Sequence, residues 1–322
     1  MSRVKVAESS YSPLHRRGCM PLQGYESGTV LHDRFRLLSE IGEGGAASVF
    51  LAHDLAAERI VALKVVREPN GEAANNLIRE GEALRAVRHP RVVGFVECGT
   101  LHDGRSFLAM QYATGRPLRA TLQHGPIAVA HALVLGGAVA DALTAIHAAG
   151  MIHRDLKPDN IIVPMREGAP IFGEAMLIDL GVYGAMRKRS TDGSAQTRWG
   201  RVSGTVWYMA PEQLAGRAQT VATDVYAFGL LLHESIFGTV PLAGEDVRAA
   251  TDSISGALLA YTGPFVRRRI AEHVVLPEEP RLTPALRSFI RALLHPDPAH
   301  RTPCMPEVVR WLRDLRAGET LR

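Results

Sequence analysis

Residues His153-Arg154-Asp155-Leu156-Lys157-Pro158-Asp159-Asn160 put five charged or ionisable side chains into eight positions, just ahead of the apolar run Ile161–Val163. Such a density is not core packing, because burying charge costs far more than burying carbon. A carboxylate, an ammonium and an amide this close together suit proton abstraction, charge neutralisation and cation ligation. A further acid, Asp179, follows Leu177-Ile178 and precedes Leu180-Gly181, as in a turn that ends a strand and holds a metal. Lys64 lies within the apolar run Ile60–Val66, where its ammonium needs an anionic partner or a route to solvent.

These groups need elements to position them. Leu77, Glu80, Leu84 and Val87 recur at helical spacing, so a helix over 75–87 carries Glu80 on its apolar face and turns Glu82 away. A carboxylate on a buried face needs a cation, and Lys64 is the candidate. Ile41-Gly42-Glu43-Gly44-Gly45-Ala46-Ala47-Ser48-Val49 separates two strand-like runs. Its glycines allow backbone N–H groups to approach phosphate oxygens, and a plain glycine-rich hairpin turn fits the same residues. Strands are expected at Val49–Ala52, Ile60–Val66, Val92–Glu97 and Phe107–Tyr112, and helices dominate after Gly115–Pro117. The expected class is α+β: a small antiparallel-sheet lobe with one helix over 34–112, a larger helical lobe over 113–322, and a polar, flexible tail over 1–33. The stretch between Val163 and Leu177, with Pro164, Gly168, Pro170 and Gly173, is expected as a surface insertion.

Of the 322 residues, 46% are hydrophobic and 22% charged, which excludes wholesale disorder. The net charge of +4 is too mild to demand nucleic acid, and none is expected as a partner. Cys19, Cys98 and Cys304 lie far apart without CxxC spacing, which points to a reducing compartment rather than a disulfide or zinc framework. The apolar stretch over 127–149 carries His131, Asp141 and His147 and is expected as a buried core helix rather than a membrane span. With no apolar segment at the amino terminus, a cytoplasmic protein is expected.

Taken in order, the glycine-rich loop, Val61-Ala62-Leu63-Lys64, the helix glutamate, the 153–160 segment, Asp179-Leu180-Gly181 and Ala210-Pro211-Glu212 resemble the protein kinase superfamily, and especially the eukaryotic-like serine/threonine kinases of bacteria. The likeness runs from about Phe35 to about Leu315. Thr223-Asp224-Val225-Tyr226-Ala227-Phe228-Gly229 is similar to the start of that family's central helix, with simple helix capping as the plainer reading. Arg301 is similar to its late arginine, which pairs with the counterpart of Glu212. Two departures stand out: Ala47 replaces the third glycine of the loop, and Leu180 replaces a phenylalanine.

The resemblance implies roles. ATP is the phosphoryl donor, and Asn160 and Asp179 hold Mg²⁺, or Mn²⁺ in its place. Lys64, held by Glu80, grips the α- and β-phosphates. Asp155 accepts the proton of the attacking hydroxyl, Lys157 neutralises the γ-phosphate, and Thr205 bonds both. Ile41, Gly42, Glu43, Gly44, Gly45 and Val49 cover the nucleotide. Ala62 and Ile162 flank the adenine, Met110 stands behind it, and Gln111 and Ala113 offer backbone to its edge. Partners are protein serines and threonines, with self-association for autophosphorylation of the basic segment Tyr183–Ser203, first at Thr197 and then at Ser203 and Thr191. Arg154 would meet that phosphate. A binding module on the same fold would lack Lys64, Asp155, Asn160 or Asp179, and all four are present. A small-molecule phosphotransferase would lack the Gly204–Glu212 segment.

Overall fold

The computed structural model describes residues 24–43, 46–181, 205–241, 264–280, 282–302 and 304–318. Contacts divide the chain into two compact units, one holding residues up to Ile78 with Glu97–Met110 and the other holding Arg79–Val96 with Gln111 onward.

Six strands form one sheet: β1 (Val30–Leu31), β2 (Phe35–Glu43), β3 (Ala47–Asp54), β4 (Arg59–Val66), β5 (Phe95–Thr100) and β6 (Ser106–Gln111). Their order is β1-β2-β3-β4-β6-β5, and helix α1 (Glu72–Ala86) falls between β4 and β5 in the chain. Strands β2, β3 and β4 pair antiparallel. In β3 the alternate residues Ser48, Phe50, Ala52 and Asp54 are buried, the period of a pleated strand with one face on a core. Asp54 tolerates burial because Arg34 donates two bonds to it, at 2.6 and 2.8 Å.

Two expectations are corrected here. The tail drawn over 1–33 ends earlier, since Val30 and Leu31 pair with Arg36 and Phe35. Tyr25 stacks on Phe50 with ring centroids 6.1 Å apart and donates to Asp103 at 2.5 Å. One aromatic contact and a short ladder thus secure a segment whose polar composition reads as loose. The strand drawn over Val92–Glu97 begins instead at Phe95, because Val93 N–H donates to Leu177 O at 2.9 Å and Leu177 N–H donates to Arg91 O at 2.8 Å.

The second unit is mostly helical. Its helices are α2 (Leu118–Leu122), α3 (Val129–Ala148), α4 (Pro211–Leu214), α5 (Val221–Phe237), α6 (Pro264–Ala271), α7 (Pro284–Leu293) and α8 (Met305–Ala317). A three-stranded sheet joins β7 (Arg116–Pro117), β8 (Ile161–Val163) and β11 (Met176–Leu177), and β9 (Met165–Arg166) pairs with β10 (Ala169–Pro170) in a separate hairpin. Among the described residues α3 alone is long and apolar enough to cross a bilayer. It packs against α5, α8 and the turn Phe172–Glu174, burying Leu133, Leu135, Val139, Leu143 and Ile146, so it is the core helix its sequence suggests. The 163–177 stretch is therefore only partly superficial: Phe172 is buried and its ring lies 5.2 Å from that of His131 on α3. Helix α5 is buried on every side from Ala222 to Ile236. Thr220 caps its first turn by accepting the Ala222 N–H at 3.3 Å, and Gly238, in the left-handed region at φ 74°, ends it.

Candidate active site

The 153–160 segment follows α3 and is held by a buried acid 70 residues away in the chain. Asp224, in the first turn of α5, has no exposed surface. It accepts the N–H groups of His153 and Arg154, each at 2.8 Å, and lies 2.7 Å from His147 Nε2. Several partners offset the cost of burying a carboxylate. On the other side, Gln213 Nε2 donates to Arg154 O at 3.0 Å. Arg154 is thereby fixed with φ at 67°, a left-handed conformation that strains a residue with a side chain. The strained residue presents Asp155.

Asp155 sits among its expected neighbours. Lys157 Nζ donates to Asp155 Oδ2 at 2.7 Å. Asn160, buried in the single turn Pro158–Asn160, donates through Nδ2 to Asp155 O at 2.9 Å and to Oδ2 at 3.2 Å. Oδ1 of Asp155 is buried and accepts no hydrogen bond from the described residues. Asp179 is tied to the same loop through the backbone, since Ile178 N–H donates to Asn160 O at 3.0 Å. Gly181 then passes so close that an added Cβ would stand 2.4 Å from His153 O and 2.7 Å from Asp155 Cβ. Only glycine fits there, a steric demand the sequence does not state. Leu180, in the usual phenylalanine position, is buried.

The first unit carries the remaining groups. Gly42 at the end of β2 pairs with Val49 of β3, which pairs with Lys64 of β4. Lys64 is half-buried, between the buried residues Leu63 and Val65. Glu43 accepts from Arg67 Nη2 at 2.7 Å, and the same nitrogen donates to Ser48 Oγ at 2.9 Å, so Arg67, just after β4, ties the end of β2 to β3, a role not foreseen. Ala62 and Met110 are buried, and Ile41 is half-buried. Helix α1 passes into the second unit at Arg79, and there Glu80 is 2% exposed whereas Glu82 faces solvent. In the second unit, Ile162 is buried in β8, Ala113 is half-buried, and Gln111 gives its N–H to Gly94 O at 2.8 Å. Gly44, Gly45, Thr191, Thr197 and Ser203 lie outside the described residues. Thr205 begins a short turn, Thr205–Tyr208.

Two charged clusters support the segment that follows. Glu212 and Arg301 form a buried two-pronged pair, with both N–O distances at 2.8 Å, as the resemblance implies. Arg301 also donates to Ala222 O, Pro296 O and His295 O, while Thr223 Oγ1 donates to Glu212, so few polar atoms of the pair go unmet. The second cluster was not foreseen. Arg119 of α2 donates to Glu234 at 2.7 Å and to the Tyr208 hydroxyl at 2.5 Å, and reaches Asp159 at 3.3 Å. Tyr208 also donates to Glu234, and burial together with that carboxylate holds its hydroxyl well above the usual tyrosine range. Tyr208 and Glu234 stand 26 positions apart and Arg119 115 from Glu234, beyond the reach of any local pattern.

Comparison with known proteins agrees with this arrangement. The model of the protein kinase domain matches residues 35–310. The serine/threonine-protein kinase pkn3 of Myxococcus xanthus is 32% identical over 85% of this chain and 48% of its own length. A probable serine/threonine-protein kinase PknB of Lactococcus lactis is 32% identical over 69% of this chain and 34% of its own. The pkn2 kinase of Myxococcus xanthus is 34% identical over 67% and 26%. The chain thus spans about half or less of these relatives. From Phe35 to Arg310 it belongs to the protein kinase domain family, whose members use ATP and a divalent metal on protein substrates.

Proposed function

We propose that this chain is a serine/threonine protein kinase that transfers the γ-phosphoryl group of ATP to protein hydroxyls. The observation that carries the reading is Asp155. Lys157 and Asn160 occupy one carboxylate oxygen and leave Oδ1 without a partner among the described residues. The carboxylate so held is suited to take the proton of an attacking hydroxyl, a contribution of roughly 10²–10⁴-fold for a well-placed base. Lys157 then lies beside the reacting oxygens, where its ammonium offsets negative charge as the hydroxyl attacks.

The donor set fits a hard divalent cation of the Mg²⁺ or Mn²⁺ kind. Asp179 brings a carboxylate, and Asn160 spends its Nδ2 on Asp155 and so retains Oδ1. Mg²⁺ needs only one or two such protein groups when phosphates supply the rest. The metal, when bound, neutralises phosphate charge. Lys64 with Glu80 as its counter-ion grips the α- and β-phosphates; Ile41, Gly42, Glu43 and Val49 cover them, with Gly44 and Gly45 between. Ala62, Ile162 and Met110 receive the adenine, and Gln111 and Ala113 meet its edge. Thr205 orients Asp155 and Lys157. Modification of Thr197 by a second copy, read by Arg154, completes the proposal, with action in the cytoplasm.

The test is incubation with γ-labelled ATP, Mg²⁺ and a protein acceptor such as myelin basic protein, followed by phosphoamino-acid analysis. Label confined to serine and threonine is expected. Label on tyrosine alone, or on no protein, overturns the reading.

A further inference from the structure

A second site lies far along the chain from the 153–160 loop. A cavity of about 300 Å³ is lined by His273, Val274, Arg291, Ala292, Leu294 and His295. His273 meets His295 edge-on with ring centroids 4.8 Å apart, and the ring of His300 lies 5.0 Å from that of His295 at a tilt. Arg291, on α7, is exposed and makes no ion pair or hydrogen bond with the described residues. Two imidazoles and a guanidinium without a partner among the described residues therefore line one hollow, with the ring of His300 packed on that of His295.

The acids nearby are already engaged. Glu272 accepts from Arg268 at 3.1 Å. Asp297 accepts the Ala299 N–H at 3.0 Å and meets His300 Nδ1 at 3.1 Å. His295 Nδ1 lies 3.1 Å from Asp297 N and 3.2 Å from Asp297 O, so this nitrogen is engaged by the Asp297 backbone in either tautomer. Among the described residues no carboxylate lines the cavity. What the hollow offers is a forked cation, two imidazoles and an apolar floor of Val274, Ala292 and Leu294.

We propose that this cavity binds a phosphate monoester group. The guanidinium fork matches two phosphate oxygens, and the imidazoles suit a third. The apolar floor suits the carbon that carries the phosphate. The site also touches the loop that grips the buried Glu212–Arg301 pair, because His295 O accepts from Arg301 Nε at 2.6 Å. Occupancy would stiffen that loop. The proposal does not rest on the activity proposed above.

The test is calorimetric titration of the full chain, saturated with a non-hydrolysable ATP analogue so that phosphate cannot report the nucleotide site. The probes are inorganic phosphate, a phosphothreonine peptide and its unphosphorylated twin. Phosphate should bind, the phosphopeptide should bind at least as well, and the unphosphorylated peptide should not. Arg291→Ala should weaken binding by roughly tenfold or more, as expected for loss of a charge-assisted fork. The melting temperature of the free protein should hold, since Arg291 makes no ion pair or hydrogen bond with the described residues. Phosphate binding without peptide binding assigns the site to a free anion. Binding that is absent for both phosphate probes, or undiminished in Arg291→Ala, overturns the proposal.

Discussion

A methyl group added at Gly181 would meet the His153 carbonyl at 2.4 Å and the Asp155 Cβ at 2.7 Å. Neither atom is the free end of a flexible side chain, so the Asp155 loop has to move. Gly181→Ala is expected to lower the phosphoryl-transfer rate by roughly 10²-fold, the scale of an ångström of misplacement. Steady-state assay beside a thermal melt checks this, and activity within a few-fold of the parent would remove the steric role. His233 predicts a pH effect. It is 1% exposed, its Nδ1 lies 2.7 Å from Thr239 O, and burial pushes its pKa down to about 4. The folded protein therefore resists a proton that the unfolded chain accepts near the ordinary value of about 6.5. The stabilising contribution is complete above pH ~6.5 and is lost as pH falls toward 4, by at most about 3 kcal/mol. Urea midpoints at pH 7.5 and 5 should show the loss, and His233→Gln should flatten it. An equal slope in both proteins would contradict the assignment.

At the scale of elements, the Glu212–Arg301 pair binds α4 to the loop before α8 and to the start of α5. Arg301 satisfies five acceptor contacts through its planar fork. Arg301→Ala strands a buried carboxylate and is expected to cost about 3–5 kcal/mol. Arg301→Lys should recover little of this, because one ammonium cannot reach acceptors spread around a plane. Chemical denaturation of the three proteins decides the matter, and a lysine variant as stable as the parent would show that charge alone suffices. The Arg34–Asp54 pair works in the same manner within the sheet. Arg34, by hydrogen bonding first, lowers the Asp54 carboxyl to about 2, so its contribution is present above pH ~4 and disappears only as pH falls toward 2.

At the scale of the molecule, what could be read from the sequence was what is local. Segment 153–160 declares itself by charge density, and Glu80 by its place among Leu77 and Leu84. The Leu77–Leu84 spacing foretold the buried side of α1, and the apolar run of α3 foretold a core helix. Asp224 was legible as part of a segment similar to the start of the family's central helix, or more plainly as helix capping, but not as the acid that holds the 153–160 loop, because its contacts to His153 and Arg154 cross 71 and 70 positions. The Arg119 cluster was invisible for the same reason. The strand at Val92 slid to Phe95 because Val93 already had Leu177 as its partner, a choice made by tertiary pairing rather than by β-propensity. The site depends on one carboxylate held between Lys157 and Asn160. The decisive measurement is therefore phosphoryl transfer from γ-labelled ATP by purified Asp155→Asn beside the parent protein, at equal concentration and with matched melting curves. Asparagine keeps the shape and cannot accept the proton, so a fall of roughly 10²-fold or more with the fold intact is expected. Activity within a few-fold of the parent would contradict the account.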